Sequence, residues 1–63
     1  MPMKLNHSMY KLYRKMPSGN WKYSEAYNST LDPNYHADIN YLNENNIEWE
    51  LRDSDGNIKF KSN

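Results

Sequence analysis

From Met9 to Tyr27 the residues alternate in two sets, one of which holds most of the large apolar side chains, with a break only at "PSGN", Pro17–Asn20. That alternation is the mark of half-buried strands, and the break supplies proline for an early turn position and glycine for a left-handed one. Tyr10, Leu12, Arg14 and Met16 form one set, and Met9, Lys11, Tyr13 and Lys15 the other. If Pro17–Asn20 is a four-residue loop, Met16 faces Trp21, Arg14 faces Tyr23, Leu12 faces Glu25 and Tyr10 faces Tyr27. This register puts nearly every large apolar residue on one face, with Arg14 and Glu25 diagonal neighbours at its edge, close enough to pair. The opposite face then carries Lys11, Tyr13, Lys15, Lys22 and Ser24. A slip of one residue would move Trp21 and Tyr23 in among the lysines, so the register is expected to be well specified.

The period changes over "TLDPNYHADINYLNENN". Asp32 suits an N-cap and Pro33 the first helical position, where a missing N–H does no harm. A residue before proline also avoids helical angles, which places Asp32 outside the helix. Tyr35, Ile39 and Leu42 follow at i, i+4 and i+7 as one narrow apolar stripe, and Asn45 and Asn46 end it. So narrow a stripe predicts a helix lying on a sheet.

Alternation returns in "IEWELRDSDGNIKFK": Ile47, Trp49 and Leu51 point inward, Glu48, Glu50 and Arg52 outward. With a turn at Asp53–Gly56, Ile58 and Phe60 also point inward, opposite Leu51 and Trp49, and Glu50 and Glu48 meet Lys59 and Lys61. The predicted fold is therefore α+β, in the order β-β-α-β-β: an antiparallel sheet of two hairpins with one helix packed on one face. Residues 1–8 show no clear period and are expected to form a flexible N-terminal arm, leaving 9–63 as a single domain.

A chain of 63 residues has a marginal core, and small scaffolds usually add disulfides, a metal or an oligomer interface. The chain has no cysteine, so disulfides and thiolate metal sites are excluded, and a reducing, cytoplasmic setting is expected. No apolar run is long enough for a signal peptide or a membrane span. The sequons at Asn6 and Asn28 are then chance matches in an asparagine-rich chain. Lysine plus arginine balances aspartate plus glutamate at 8 each, but the charges are segregated. Residues 1–23 carry only bases, residues 24–57 carry every acid with Arg52, and Lys59 and Lys61 follow. Zero net charge argues against indiscriminate polyanion binding and leaves a local basic face open.

Nothing in the pattern predicts catalysis. The two histidines, His7 and His36, lie in the expected arm and in the first helical turn, without a Ser/His/Asp arrangement or a cysteine nucleophile. Glu48 and Glu50 share a strand face expected to be wet, as partners for lysines rather than as paired acids. "DSDGN" resembles a fragment of a calcium loop, but Gly56 is fourth from Asp53 and the twelfth position falls past the end of the sequence. A turn is the better reading, and no cofactor or metal is expected.

Binding surfaces are the remaining possibility. Six tyrosines and two tryptophans exceed what one sheet and one helix enclose comfortably. Both residue types are enriched where proteins meet. Tyr13, Trp21 and Tyr41 are the candidate protein contacts, with Lys11, Lys15 and Lys22 steering the approach. Unpaired sheet edges add a second docking mode, by strand addition. The alternative is a nucleic-acid site of Lys11, Tyr13, Lys15 and Lys22, weakened by a single stacking aromatic on that face. A structural subunit of a homo-oligomer is the third reading, and the acidic half, as a mimic of DNA, is disfavoured by the neutral net charge.

In its brevity, its lack of cysteine, its terminal "WELRDSDGNIKF" hairpin and its abundance of Asn and Tyr, the chain resembles the short accessory proteins of bacteriophages. That resemblance implies a stoichiometric inhibitor of a bacterial host or defence protein, acting in the host cytoplasm by occupying a surface. It carries over no functional residue.

Overall fold

The computed structural model describes residues 9–62, so the expected arm over residues 1–8, His7 included, lies outside the described residues. The elements are β1 (Tyr10–Lys15), β2 (Trp21–Tyr27), α1 (Pro33–Glu44), β3 (Trp49–Asp53) and β4 (Ile58–Lys61). They form one sheet of order β2-β1-β3-β4, antiparallel throughout, with α1 on one face. This is the predicted α+β, β-β-α-β-β fold.

Alternation in β1 and β3 decides where the core sits. Leu12 and Leu51 are directly opposite in the two central strands, and both are 0% exposed. Tyr27, Tyr35, Leu42 and Trp49 complete the buried set, with Tyr10, Ile39 and Ile47 packed against it. The helix stripe is thus as narrow as its sequence implies, and Tyr35 and Leu42 are its two buried members. Two polar contacts fix α1 to the sheet. The Tyr27 hydroxyl donates to an Asp38 carboxylate oxygen, and the Trp49 indole Nε1–H donates to Asn43 Oδ1 at 2.9 Å.

Both helix ends are closed by their own residues. Asp32 stands outside at φ −61°, ψ 125° and accepts the Asn34 N–H at 2.9 Å, and Pro33 opens the first turn. At the other end Asn46 takes a left-handed φ of 56°, which asparagine tolerates better than most residues. The N–H of Ile47 then reaches the Leu42 carbonyl at 2.9 Å and that of Asn46 the Asn43 carbonyl at 3.2 Å. This is a Schellman closure, and it satisfies carbonyls the helix would leave bare.

The hairpins depart from simple counting. Their loops contain three residues, not four. In the first, Met16 N–H donates to Asn20 at 2.7 Å and Gly19 N–H to Met16 at 2.8 Å. In the second, Asp53 N–H donates to Asn57 at 2.9 Å and Gly56 N–H to Asp53 at 3.0 Å. Gly19 (φ 95°) and Gly56 (φ 88°) hold the left-handed position that such a loop demands. "MPSGN" and "DSDGN" are thus one turn written twice.

Each shortened loop displaces the register by one residue, and each hairpin then contains an irregularity. In the first, Lys15 faces Trp21, Arg14 faces Lys22 and Tyr13 faces Tyr23. Between Leu12 and Tyr13 the register shifts, Ser24 is left over, and Leu12↔Glu25 and Tyr10↔Tyr27 follow as expected. The expected Met16–Trp21 and Arg14–Tyr23 pairs are therefore replaced. In the second hairpin Arg52 faces Ile58, Lys59 is left over, and Leu51 and Glu50 face Phe60 and Lys61. Ile58 and Phe60 consequently point to opposite faces, where one shared inward face was expected, and both are half-exposed. The expected Glu50–Lys59 and Glu48–Lys61 pairings are replaced as well.

Candidate binding surface

The displaced first hairpin builds the face of the sheet that α1 leaves uncovered. On β1 that face presents Lys11, Tyr13 and Lys15; on β2 the shift adds Trp21 and Tyr23; on β3 it presents Glu50 and Arg52; on β4, Ile58 and Lys61. Trp21 is 39% exposed and Tyr23 51%. Both were expected on the helix side, and the three-residue loop is what turns them outward. Lys22 moves the other way, to the helix-side face opposite Arg14, so it leaves the group of Lys11 and Lys15.

The middle of the face is tied together by its own side chains. The rings of Tyr13 and Tyr23 meet edge to face at 5.9 Å. The Arg52 guanidinium lies 4.1 Å from the centre of the Tyr13 ring, a cation–π contact, and its Nε donates to Glu50 Oε1 at 2.7 Å. Glu50 is only 8% exposed although it sits on the open face, because these neighbours cover it. The expectation that Glu50 is a wet partner of a lysine is corrected: its ion partner is Arg52, two residues along the same strand, at 2.7 Å. Glu48 reaches Lys15 instead of Lys61, at 3.9 Å. Lys11, Lys15, Arg52 and Lys61 against Glu48 and Glu50 leave the face positive by two charges.

Of the residues singled out from sequence, Tyr13, Trp21, Lys11 and Lys15 are brought together here. Tyr41 is not. It is 56% exposed, but it stands on α1, on the far side of the sheet. Tyr23, Arg52 and Glu50 belong to the surface and were not among the sequence candidates. Glycine as the third residue of each loop, followed by asparagine, was the signal that could have placed Tyr23.

At the end of the sheet nearest the first loop lies a cleft of about 610 Å³ lined by Arg14, Met16, Pro17, Asn46 and Ile47 among others. The Arg14–Glu25 pair expected from the sequence is absent among the described ion pairs, because the shifted register gives Arg14 a lysine as its cross-strand neighbour. Arg14 Nε is buried and has no hydrogen-bond partner. A buried donor left without a partner costs about 1–3 kcal/mol.

The other candidate chemistries resolve into structure. Asp53 accepts the N–H groups of Asn57 and Asp55, each at 2.9 Å, so it is spent on its turn. The Asn57 N–H first, with that of Asp55, holds its carboxyl below the ordinary range. His36 packs edge to face on Tyr35 at 5.3 Å. Among the described residues no three His, Cys, Asp or Glu side chains gather as a metal would require, and no helix is long and apolar enough to cross a membrane. No family model matches the chain, and no curated protein or solved structure is significantly similar to it.

Proposed function

We propose that this chain is a non-catalytic binding module whose open sheet face docks a protein with an acidic, partly apolar surface. The observation that carries this reading is the displaced first hairpin, which sets Trp21 and Tyr23 beside Tyr13 within a frame of Lys11, Lys15 and Lys61. Tryptophan, tyrosine and arginine are the residues on which interface energy concentrates. The positive balance of the face favours an acidic partner and speeds its approach. A stoichiometric inhibitor of a bacterial host or defence protein, of the bacteriophage accessory kind and acting in the host cytoplasm, is the form of this reading that the sequence resemblance supports.

Single-stranded nucleic acid is the second reading, favoured by the same shift, because three aromatics now share the lysine face where one was expected. Two features weigh against it. One face of the Tyr13 ring is taken by Arg52 and an edge contact by Tyr23, which leaves less surface for a base to stack on. Glu48, just before β3, and Glu50 on it also place carboxylates where a phosphate backbone would run. A homo-oligomer remains the third reading, with the same face meeting its own copy against a like charge.

The test is affinity capture with nuclease-treated and untreated lysate, using the wild-type chain, Trp21→Ser/Tyr23→Ser and Tyr41→Ser. A stoichiometric protein that survives nuclease, is lost with the double variant and is kept by Tyr41→Ser supports the proposal. Recovery of nucleic acid alone, or loss of the partner only with Tyr41→Ser, overturns it.

A further inference from the structure

We infer that β2 is a self-association edge: two copies of this chain pair their β2 strands antiparallel about a twofold axis, joining two four-stranded sheets into one. This association runs edge to edge, and it does not depend on what docks on the open face. β2 is one of the two edge strands of the sheet and is 7 residues long. Among the described residues, Trp21–Tyr27 make no backbone hydrogen bond outside the strand ladder, so the outer edge is free. The other edge, β4, is shorter and carries Lys59 and Lys61 with no acid, so two copies of it repel. β2 carries one charge of each sign, Lys22 and Glu25, and both are exposed.

Backbone direction narrows the register. The Met16 N–H turns toward Asn20, on the β2 side of β1, and the Lys15 N–H toward Glu48, on the β3 side. Alternation along β1 then turns Arg14, Leu12 and Tyr10 toward β2. Their partners Lys22, Glu25 and Tyr27 turn back toward β1, which leaves Trp21, Tyr23 and Ala26 with their N–H and C=O groups directed out of the sheet. An added antiparallel strand bonds through such outward residues in facing pairs. A twofold axis can pair Trp21 with Tyr23, Tyr23 with Ala26, or Trp21 with Ala26 of the other copy. The first register sets Lys22 against Lys22, like charges directly opposite. The second sets Lys22 against Tyr27. The third sets Lys22 opposite Glu25, and the twofold axis repeats that pair on its other side.

A bulge ordinarily guards an edge against pairing, but here it makes the pairing possible. Along an unbroken strand Lys22 and Glu25 would point to opposite faces. With Ser24 left over, both project on the helix-side face, opposite Arg14 and Leu12. In the dimer they occupy positions that share no hydrogen bond, where facing Cα atoms approach to about 4.5 Å and side chains lie closest. On the open face Trp21 stands opposite the small side chain of Ala26 in the other copy, and the two bulges meet on the axis. The open faces of the two copies become one surface, with Trp21 and Tyr23 of each gathered at its centre.

Sedimentation velocity of the full chain is the test, at concentrations up to about 1 mM because two short edges bury a small interface. The wild-type chain should show a monomer–dimer equilibrium. Lys22→Glu sets like charges opposite each other in both pairs and should weaken dimerisation about tenfold or more, and Glu25→Lys should do the same. The double variant Lys22→Glu/Glu25→Lys exchanges the signs and should restore the dimer. Both side chains are exposed, so every variant should keep the wild-type circular dichroism spectrum. In a wild-type sample mixed from labelled and unlabelled chains, intermolecular Overhauser contacts should join the Trp21 ring to the Ala26 methyl group. A chain that stays monomeric, a dimer indifferent to Lys22→Glu, or a folded double variant that does not dimerise overturns the inference. So do intermolecular contacts of Trp21 with Tyr23 in place of Ala26. Assemblies that grow beyond a dimer overturn it too, since they require β2 to pair with a different edge, the lysines of β4.

Discussion

The two central strands and the two outer strands of this sheet obey different rules. Along β1 and β3 the faces alternate without interruption, and Leu12 and Leu51 meet at the centre with no exposure. Along β2 and β4 a three-residue loop displaces the register, one residue is left over, and large apolar side chains end up in solvent. A central strand is held by neighbours on both sides, so a slip would break two ladders and bury polar side chains. An edge strand answers to one neighbour, and a bulge there is tolerated. The fold of this protein lives in the centre of the sheet. Its candidate binding surface comes from what the edge is free to do.

The sharpest contrast should appear between two residues that face each other. Leu51 and Phe60 are cross-strand partners on the helix-side face, yet Leu51 is fully buried and Phe60 half-exposed. Leu51→Ala should cost about 2–5 kcal/mol, enough to unfold much of a domain this small. Phe60→Ala should cost about 1 kcal/mol or less. Urea unfolding followed by circular dichroism measures both, and equal losses would break the division between centre and edge.

The loops come next in size. Gly19→Ala and Gly56→Ala each force a side chain into a left-handed backbone with nothing nearby to clash, so strain alone should cost about 1–2 kcal/mol. The same unfolding experiment measures both, and an unchanged stability at either position would contradict the left-handed glycine on which its three-residue loop depends.

Tyr27 sits where β2 is still in its expected register, and its hydroxyl is buried against Asp38. Burial first, and then the hydrogen bond and the negative charge of Asp38, push its ionisation far above the ordinary tyrosine range. The folded chain therefore keeps a proton that the unfolded chain surrenders near pH 10, about the ordinary value. Stability from this group is complete below that pH and falls as pH rises beyond it. Tyr27→Phe should cost about 1 kcal/mol at neutral pH and flatten the alkaline loss, as unfolding measured between neutral and alkaline pH would show. A variant with an unchanged alkaline slope would place the sensitivity elsewhere.

Trp21→Ser is expected to have the smallest effect on stability, about 1 kcal/mol or less, because the indole lies on the open face. Its effect on partner capture should be large. A loss comparable to that of Leu51→Ala would mean that Trp21 belongs to the core.

Most of the architecture was legible because it depends on periods and caps. Asp32, Pro33, the Tyr35–Ile39–Leu42 stripe and the Asn45–Asn46 ending each carry a local physical reason, and the helix forms as those reasons require. The two central strands were legible for the same cause. The candidate surface was less so, because one residue of loop length inverts every side chain that follows it until a bulge restores the count. Alternation fixes which residues share a face within a strand, but not which face of the neighbour they join. Tyr10 and Leu12 kept their partners because Ser24 absorbs the displacement, while Trp21 and Tyr23 lie on the loop side of it. Burial of Glu50 was also illegible, since it depends on Arg52 and Tyr13 converging from different strands.

The placement of Trp21 and Tyr23 on the open face is tested by a nuclear Overhauser spectrum of the free chain, read at those two residues. The three-residue loop requires ring contacts between Tyr23 and Tyr13, cross-strand contacts between Trp21 and Lys15, and none from either aromatic to Ile39 or Leu42 of the helix. Contacts of Trp21 with Met16 and of Tyr23 with Arg14 and the helix would restore the four-residue loop. They would return both aromatics to the core and remove the surface on which the proposed function rests.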